Sequence, residues 1–259
     1  MANPSPIGVF DSGVGGLSIL RSLRAELPHE DFVYLADTGH APYGERGDAY
    51  VAERSRAIAR QLLREHRIKA LVVACNTATA AAIHLLRADD PALPLIGVEP
   101  ALKPAVALSR TKRVGVLATR GTLASAKFRA LHDSLKARAE FVLQPCDGLA
   151  AAIEADDATK IVALCSQYTR SAGPFGTQNG HIDTLVLGCT HYPFAWQHFI
   201  DLVGPEVRLV ENGEPVAGQT RRLLDAAGLL KTEGQGRIRL LTTGSSPALE
   251  LAAARWLGL

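Results

Sequence analysis

Short runs of consecutive apolar residues alternate along the chain with longer stretches in which apolar positions recur every three or four residues. Ile7-Gly8-Val9-Phe10 is the first run, Leu17 to Leu27 is the first stretch of helical spacing, and Pro28 closes it. Phe32-Val33-Tyr34-Leu35-Ala36 is the second run; an amphipathic stretch over 48–67 leads into Leu71-Val72-Val73-Ala74, and an alanine-rich stretch over 77–87 follows. Short β-branched and leucine runs bounded by polar turns read as buried strands, and the periodic stretches between them read as helices. The order is βαβαβα, which predicts an α/β architecture with mostly parallel sheets flanked by helices.

After Pro91 to Pro94 and the strand Leu95-Ile96-Gly97-Val98, a helical segment begins at Glu99 and the pattern restarts. Val114-Gly115-Val116-Leu117-Ala118 mirrors the first strand, with Thr119 near the relative place of Asp11. Gly8 and Gly115 are 107 residues apart, and Cys75 and Cys189 are 114 apart, so the two offsets agree within 7. This is a divergent internal repeat and predicts two similar units. Within the second, Phe141-Val142-Leu143 is a strand, Leu149 to Ile153 leads on a helix to Glu154, and Ser171 to Gly180 is a loop. The tail, from Val207-Arg208-Leu209-Val210 through a helix over 215–229 and a strand over 238–244, is expected to return to the first unit. The expected domains are 1–98 plus 210–259, discontinuous, around 99–209.

Composition narrows the class. The 259 residues are 47% hydrophobic, ample for packed cores, and carry 28 basic against 26 acidic residues for a net charge of +2. No dense Lys/Arg tract appears, so a nucleic-acid partner is not indicated. Met1-Ala2-Asn3-Pro4-Ser5-Pro6 has no basic or apolar leader, and no apolar run approaches the roughly 18 residues of a membrane span, so a soluble cytoplasmic protein without a membrane partner is expected. Cys75, Cys146, Cys165 and Cys189 form no C-x-x-C pair, which speaks against a zinc ribbon, a redox motif or a disulfide framework. Cys165 reads as a small buried hydrophobe, and Cys146 carries no assigned role.

The two remaining cysteines carry the chemistry. Leu71-Val72-Val73-Ala74-Cys75-Asn76-Thr77 and Leu185-Val186-Leu187-Gly188-Cys189-Thr190-His191 each end a buried strand in a thiol followed by helix-capping residues. Strand carboxyl ends are where open α/β sheets bind ligands, and a helix amino terminus lowers a thiol's pKa below its free value of about 8.5. Asp11-Ser12-Gly13-Val14-Gly15-Gly16 fails the G-x-G-x-x-G pattern because Ser18 stands in the third glycine's place, and no Gly-Lys-Ser/Thr follows. The turn reads better as backbone N–H groups and the Ser12 hydroxyl serving a ligand, with Asp11 facing an ammonium or a proton-carrying group. The loop Thr38-Gly39-His40-Ala41-Pro42-Tyr43-Gly44 can seat a carboxylate. Two thiols on opposite faces of one carbon can remove a proton from one side and return one to the other, which is racemisation. Asn76, Thr77, Thr122 and Thr190 supply hydrogen bonds for a substrate carboxylate on which carbanionic charge develops.

Together, Phe10-Asp11-Ser12-Gly13-Val14-Gly15-Gly16-Leu17, Ala41-Pro42-Tyr43-Gly44, Val73 to Thr79 and Leu187-Gly188-Cys189-Thr190-His191-Tyr192-Pro193 resemble the signature blocks of the cofactor-independent glutamate racemases. The blocks appear in family order and spread over most of the chain. The resemblance implies interconversion of L- and D-glutamate, D-glutamate supply for bacterial peptidoglycan, and two pseudosymmetric domains with the site in the cleft between them. It implies no cofactor and no metal, glutamate as the small-molecule partner, and it allows a homodimer. By that similarity Cys75 deprotonates D-glutamate with help from Asp11, and Cys189 deprotonates L-glutamate with help from Glu154 and His191. Asp11, Ser12, Asn76, Thr77, Thr119, Thr122, Thr190 and His191 match substrate contacts, with Pro42, Tyr43 and Gly44 at the seat of the side-chain carboxylate. The chain departs from the usual pattern at His40, at Phe128 and over Val210 to Pro215, and the segment around Glu154 matches least. The alternatives are a racemase of the same superfamily acting on aspartate or a related compound, and a non-catalytic binding protein of gyrase-inhibitor type. A pyridoxal-phosphate racemase would need a Schiff-base lysine and a phosphate cradle, and neither is seen.

Overall fold

The computed structural model describes residues 4–258; Met1, Ala2 and Asn3, on which part of the reading of the amino terminus rests, lie outside the described residues, as does Leu259. In chain order the first stretch holds β1 (Ile7–Asp11), α1 (Leu17–Glu26), β2 (Phe32–Ala36), α2 (Asp48–His66), β3 (Ala70–Val73), α3 (Asn76–Asp89) and β4 (Leu95–Gly97). The middle holds α4 (Leu102–Leu108), β5 (Arg113–Ala118), α5 (Arg120–Ala124), α6 (Ala126–Asp133), β6 (Glu140–Pro145), α7 (Leu149–Glu154), α8 (Ala158–Ala172), β7 (Thr184–Leu187), α9 (Trp196–Val203) and β8 (Arg208–Val210). The last stretch holds α10 (Gly213–Ala226), β9 (Ile238–Thr242) and α11 (Ser246–Leu257). The chain divides into two compact units, one running to Val98 and resuming at Gly213, the other running Glu99–Asn212.

The first unit is built on a five-stranded sheet in the order β4-β3-β1-β2-β9, and the second on a four-stranded sheet in the order β6-β5-β7-β8. Every pairing is parallel. Strands β1, β2, β3 and β7 are buried at every position, as parallel strands covered by helices must be. The apolar runs were therefore a direct strand signal. Helix α10 packs on α1, and α11 also reaches α1.

The duplication extends to register. In the first sheet Gly8 lies opposite Leu71, and in the second Gly115 lies opposite Leu185. At both glycines a Cβ would crowd the neighbouring strand or the residue leading into it: at Gly8 it would come within 2.8 Å of Ile68 Cδ1, and at Gly115 within 2.9 Å of Leu185 Cδ1 and 3.3 Å of Ile182 Cγ2. After each strand pair the same bridge recurs, Ala74 N–H to Phe10 carbonyl and Gly188 N–H to Leu117 carbonyl, each 2.7 Å. The order β4-β3-β1-β2 is thus repeated as β8-β7-β5-β6, and β9 has no counterpart.

Two expectations need correction. The run 207–210 does not go back to the first unit with the tail: Arg208–Val210 pairs with β7 as the edge of the second sheet. A three-residue strand carries no record of which sheet it joins, and its place follows from the repeat, where it is the equivalent of β4. The loop expected from Ser171 is also shorter, because α8 continues to Ala172 and ends where Gly173 takes a φ of 118°. Among the described residues no helix is long and apolar enough to cross a membrane.

Candidate active site

In the first unit, Cys75 follows β3 after Ala74 and caps α3: its Sγ accepts the Ala78 N–H at 3.4 Å. The Ser12 hydroxyl, on the turn after the adjacent strand β1, lies 3.7 Å from that sulfur and 3.5 Å from Asp11 Oδ1. Asp11 is fully buried, and its other oxygen accepts the Gly16 N–H at 2.7 Å, so the glycine turn orients the carboxylate. Parallel pairing of β1 with β3 is what brings residues 11–12 and 75 together. Asn76 and Thr77, also buried, form the first turn of α3.

Beside them, Pro42, Tyr43 and Gly44 lie in a loop of two single 3-10 turns, Thr38–His40 and Tyr43–Glu45. Tyr43 is 1% exposed and donates its phenol to Asp37 Oδ2 at 2.6 Å. Asp37 is fully buried; Arg54 grips it with Nε at 3.1 Å and Nη2 at 2.9 Å, and Thr243 donates to Oδ1 at 2.8 Å. Burial alone would raise the Asp37 pKa, but the hydrogen bonds from Arg54, Tyr43 and Thr243 outweigh it and hold the carboxyl below its ordinary value. Burial, and then the hydrogen bond to Asp37, push the Tyr43 phenol well above the usual tyrosine range, so it stays a donor. The sequence shows Asp37 only as the end of a strand, and nothing there points to Arg54 or Thr243. Arg54 is one of four arginines on α2, and Thr243 lies 206 residues from its acceptor.

In the second unit, Cys189 follows β7, and His191 Nδ1 lies 3.8 Å from its sulfur. His191 Nε2 is 2.6 Å from Glu154 Oε2, at the end of α7. Burial would lower the His191 pKa, yet the contacts with Cys189 and Glu154 reverse this and hold it well above its ordinary value. Thr190 and Thr122 are buried; Thr119 caps α5, accepting the Thr122 N–H at 3.2 Å and donating to its hydroxyl at 2.9 Å.

The two thiols are equivalent in register but not in surroundings. The Cys75 carbonyl accepts the α-helical bond from Thr79 N–H, whereas the corresponding donor for Cys189 would be Pro193, which has no N–H. Tyr192 N–H bonds to the Cys189 carbonyl instead, and the chain makes a 3-10 turn, Tyr192–Ala195, before α9. The expected helix amino terminus is therefore present at Cys75, while at Cys189 an imidazole lies against the sulfur. The register also moves Thr119: Ala118 aligns with Asp11 and Thr119 with Ser12, because Phe10 pairs with Val73 and Leu117 with Leu187. The second unit has no carboxylate at that point, and the carboxylate that contacts His191 is Glu154, at the end of α7. Cys165 is fully buried, and burial pushes its thiol to about 12. Cys146 stands where Asp37 does, its N–H bonded to the Ala118 carbonyl as Asp37's is to Asp11's, and burial raises its thiol further. Among the described residues no three His, Cys, Asp or Glu side chains converge to hold a metal ion.

The chain is 51% identical over 230 residues to a glutamate racemase of Methylococcus capsulatus, covering 88% of this chain and 82% of that one. Its fold is similar to that of a glutamate racemase isoform from Bacillus anthracis, with a TM-score of 0.85 and 32% identity over 98% of this chain and 94% of the other. It is also similar to the Escherichia coli glutamate racemase solved with L-glutamate and the activator UDP-MurNAc-Ala, with a TM-score of 0.84 and 29% identity over 98% and 96% of the two chains. The family described as Asp/Glu/Hydantoin racemase matches residues 9–207, nearly the whole of the repeat, and the chain belongs to that family.

Proposed function

We propose that the chain is a glutamate racemase, an isomerase that interconverts L- and D-glutamate without a cofactor and supplies D-glutamate for peptidoglycan synthesis in the cytoplasm. The observation that carries the reading is the pair of thiols at equivalent strand ends of a duplicated unit, each next to a polar group of its own. In one direction the Cys189 thiolate takes the α-proton of L-glutamate, and the Cys75 thiol delivers its own proton to the opposite face. In the other direction the roles exchange, so each turnover leaves the protonation of the two sulfurs swapped. The chemistry needs no other reactant.

The α-hydrogen of an amino acid is a weak acid, so the site must favour carbanionic charge beside the α-carboxylate. Asn76 and Thr77 from the first unit, and Thr122 and Thr190 from the second, serve as its hydrogen-bond donors. Asp11 acts on Cys75 through Ser12, while Glu154 acts on Cys189 through His191. Tyr43 and Gly44, with Pro42 before them, seat the side-chain carboxylate. A homodimer is the assembly proposed.

The test is decay of circular dichroism with L-glutamate and L-aspartate side by side in deuterated water. Fast loss with glutamate, with one solvent deuterium at the α-position of product, is expected, and Cys75→Ser and Cys189→Ser should each abolish it. Faster loss with aspartate would transfer the activity to that substrate. Unlabelled product, or full activity in Cys75→Ala, would overturn the two-thiol route.

A further inference from the structure

The loop that carries Tyr43 is held by an element with no equivalent in the second unit. Strand β9 lies outside β2 on the sheet edge, and its last residues meet the first 3-10 turn of the loop. Thr242 Oγ1 and Thr38 Oγ1 are 2.7 Å apart. The Thr243 hydroxyl does two things at once: it accepts the Gly39 N–H at 3.1 Å and donates to Asp37 at 2.8 Å. The fit at Gly39 is close, since a Cβ there would come within 2.8 Å of the Thr243 carbonyl oxygen.

Asp37 in turn joins this strand to the loop and to α2. One carboxylate oxygen takes the Tyr43 phenol and Arg54 Nε, and the other takes Arg54 Nη2 and Thr243 and lies 3.0 Å from Nδ1 of His40 in the same loop. The planar guanidinium fixes the plane of the carboxylate by a two-point grip, which a lysine could not do. With that plane fixed, the Tyr43 hydroxyl has one direction in which to donate, and the ring behind it is set. In the second unit the equivalent of Asp37 is Cys146, no fifth strand is present, and the chain passes from β6 straight toward α7.

We infer that Thr243 and Arg54 are positioning residues for substrate, fixing the Tyr43 loop through Asp37, and that β9 serves this purpose in the first unit alone. The inference rests on the reading that Tyr43 and Gly44 seat the side-chain carboxylate of glutamate. Both residues act on the loop through Asp37, so the effect falls on substrate binding and not on proton transfer.

Thr243→Val keeps the shape and removes both hydrogen bonds, while Thr243→Ser keeps them. In Thr243→Val, KM for both enantiomers of glutamate should rise about 3- to 10-fold, the worth of one or two hydrogen bonds, with kcat within about twofold of the parent. Thr243→Ser should restore the parent KM. Because Tyr43 and Thr243 act through one carboxylate, Tyr43→Phe combined with Thr243→Val should raise KM no more than the larger single change. An unchanged KM in Thr243→Val, a fall in kcat with KM unmoved, or additive effects in the double variant would each overturn the inference. A parent chain that does not racemise glutamate would overturn both the inference and the function on which it rests, whereas an active parent with an unaffected Thr243→Val would overturn the inference alone.

Discussion

His191 Nε2 lies 2.6 Å from Glu154 Oε2, and that contact has a consequence for pH. Its pKa in the folded chain lies well above the usual 6.5 despite burial, because Cys189 and Glu154 favour the charged ring. A raised value means that the native state keeps a proton which the unfolded chain sheds. The stabilisation is therefore complete below about pH 6.5 and is lost as pH rises through the folded value. The urea midpoint is expected to fall over that interval, and Glu154→Gln should flatten this part of the profile. A wild-type midpoint that holds constant there would show that the ring is not raised. The individual residues of this cluster are visible in the sequence, but their pairing is not: 37 residues separate Glu154 from His191, and only the end of α7 beside the exit of β7 joins them.

Elements were legible where burial was two-sided. Strands β1, β2, β3, β5 and β7 announce themselves as unbroken apolar runs, whereas β8 and β9, at sheet edges, show their partners only in the fold. What ties β9 to its sheet includes a buried ion pair at the opposite end of the strands. Lys69 Nζ lies 2.7 Å from Glu30 Oε2 and donates to the Leu229 carbonyl at 2.8 Å, while Glu30 Oε1 accepts the Lys231 N–H at 2.8 Å. The two side chains are 1% and 0% exposed, so removing one partner leaves a charge with no water. Lys69→Met is expected to cost about 3–5 kcal/mol in urea unfolding, and Lys69→Met with Glu30→Met should recover much of it. A loss below about 1 kcal/mol for the single change would mean that the pair does not hold the linker between α10 and β9.

For the whole molecule the internal repeat was the most informative feature of the sequence, since two glycines and two cysteines at nearly equal offsets predicted two similar units, and four strands of each sheet do share one order. What the offsets could not show is that the units differ in completeness. The stretch Glu99–Asn212 is continuous and contains all of its own strands, with Leu117, Leu185 and Phe199 among the buried residues of one core cluster and Val114, Val116 and Phe128 in another. The first unit is assembled from two segments, and its second segment supplies β9 together with Val216 and Leu224 of α10, both buried. Burial of a Val or Leu side chain is worth about 1.5–3 kcal/mol, and a domain's total stability is about 5–15 kcal/mol, so losing these two side chains and an edge strand removes most of the margin. Residues 99–212 expressed alone should therefore unfold in a single cooperative urea transition, residues 1–98 alone should not, and joining 1–98 to 213–259 by a short glycine-serine linker should restore one. Cooperative unfolding of 1–98 by itself would show that the returning segment contributes little to the core of that unit. If 99–212 failed to unfold cooperatively, its continuous sheet and two core clusters would not be sufficient for an independent fold.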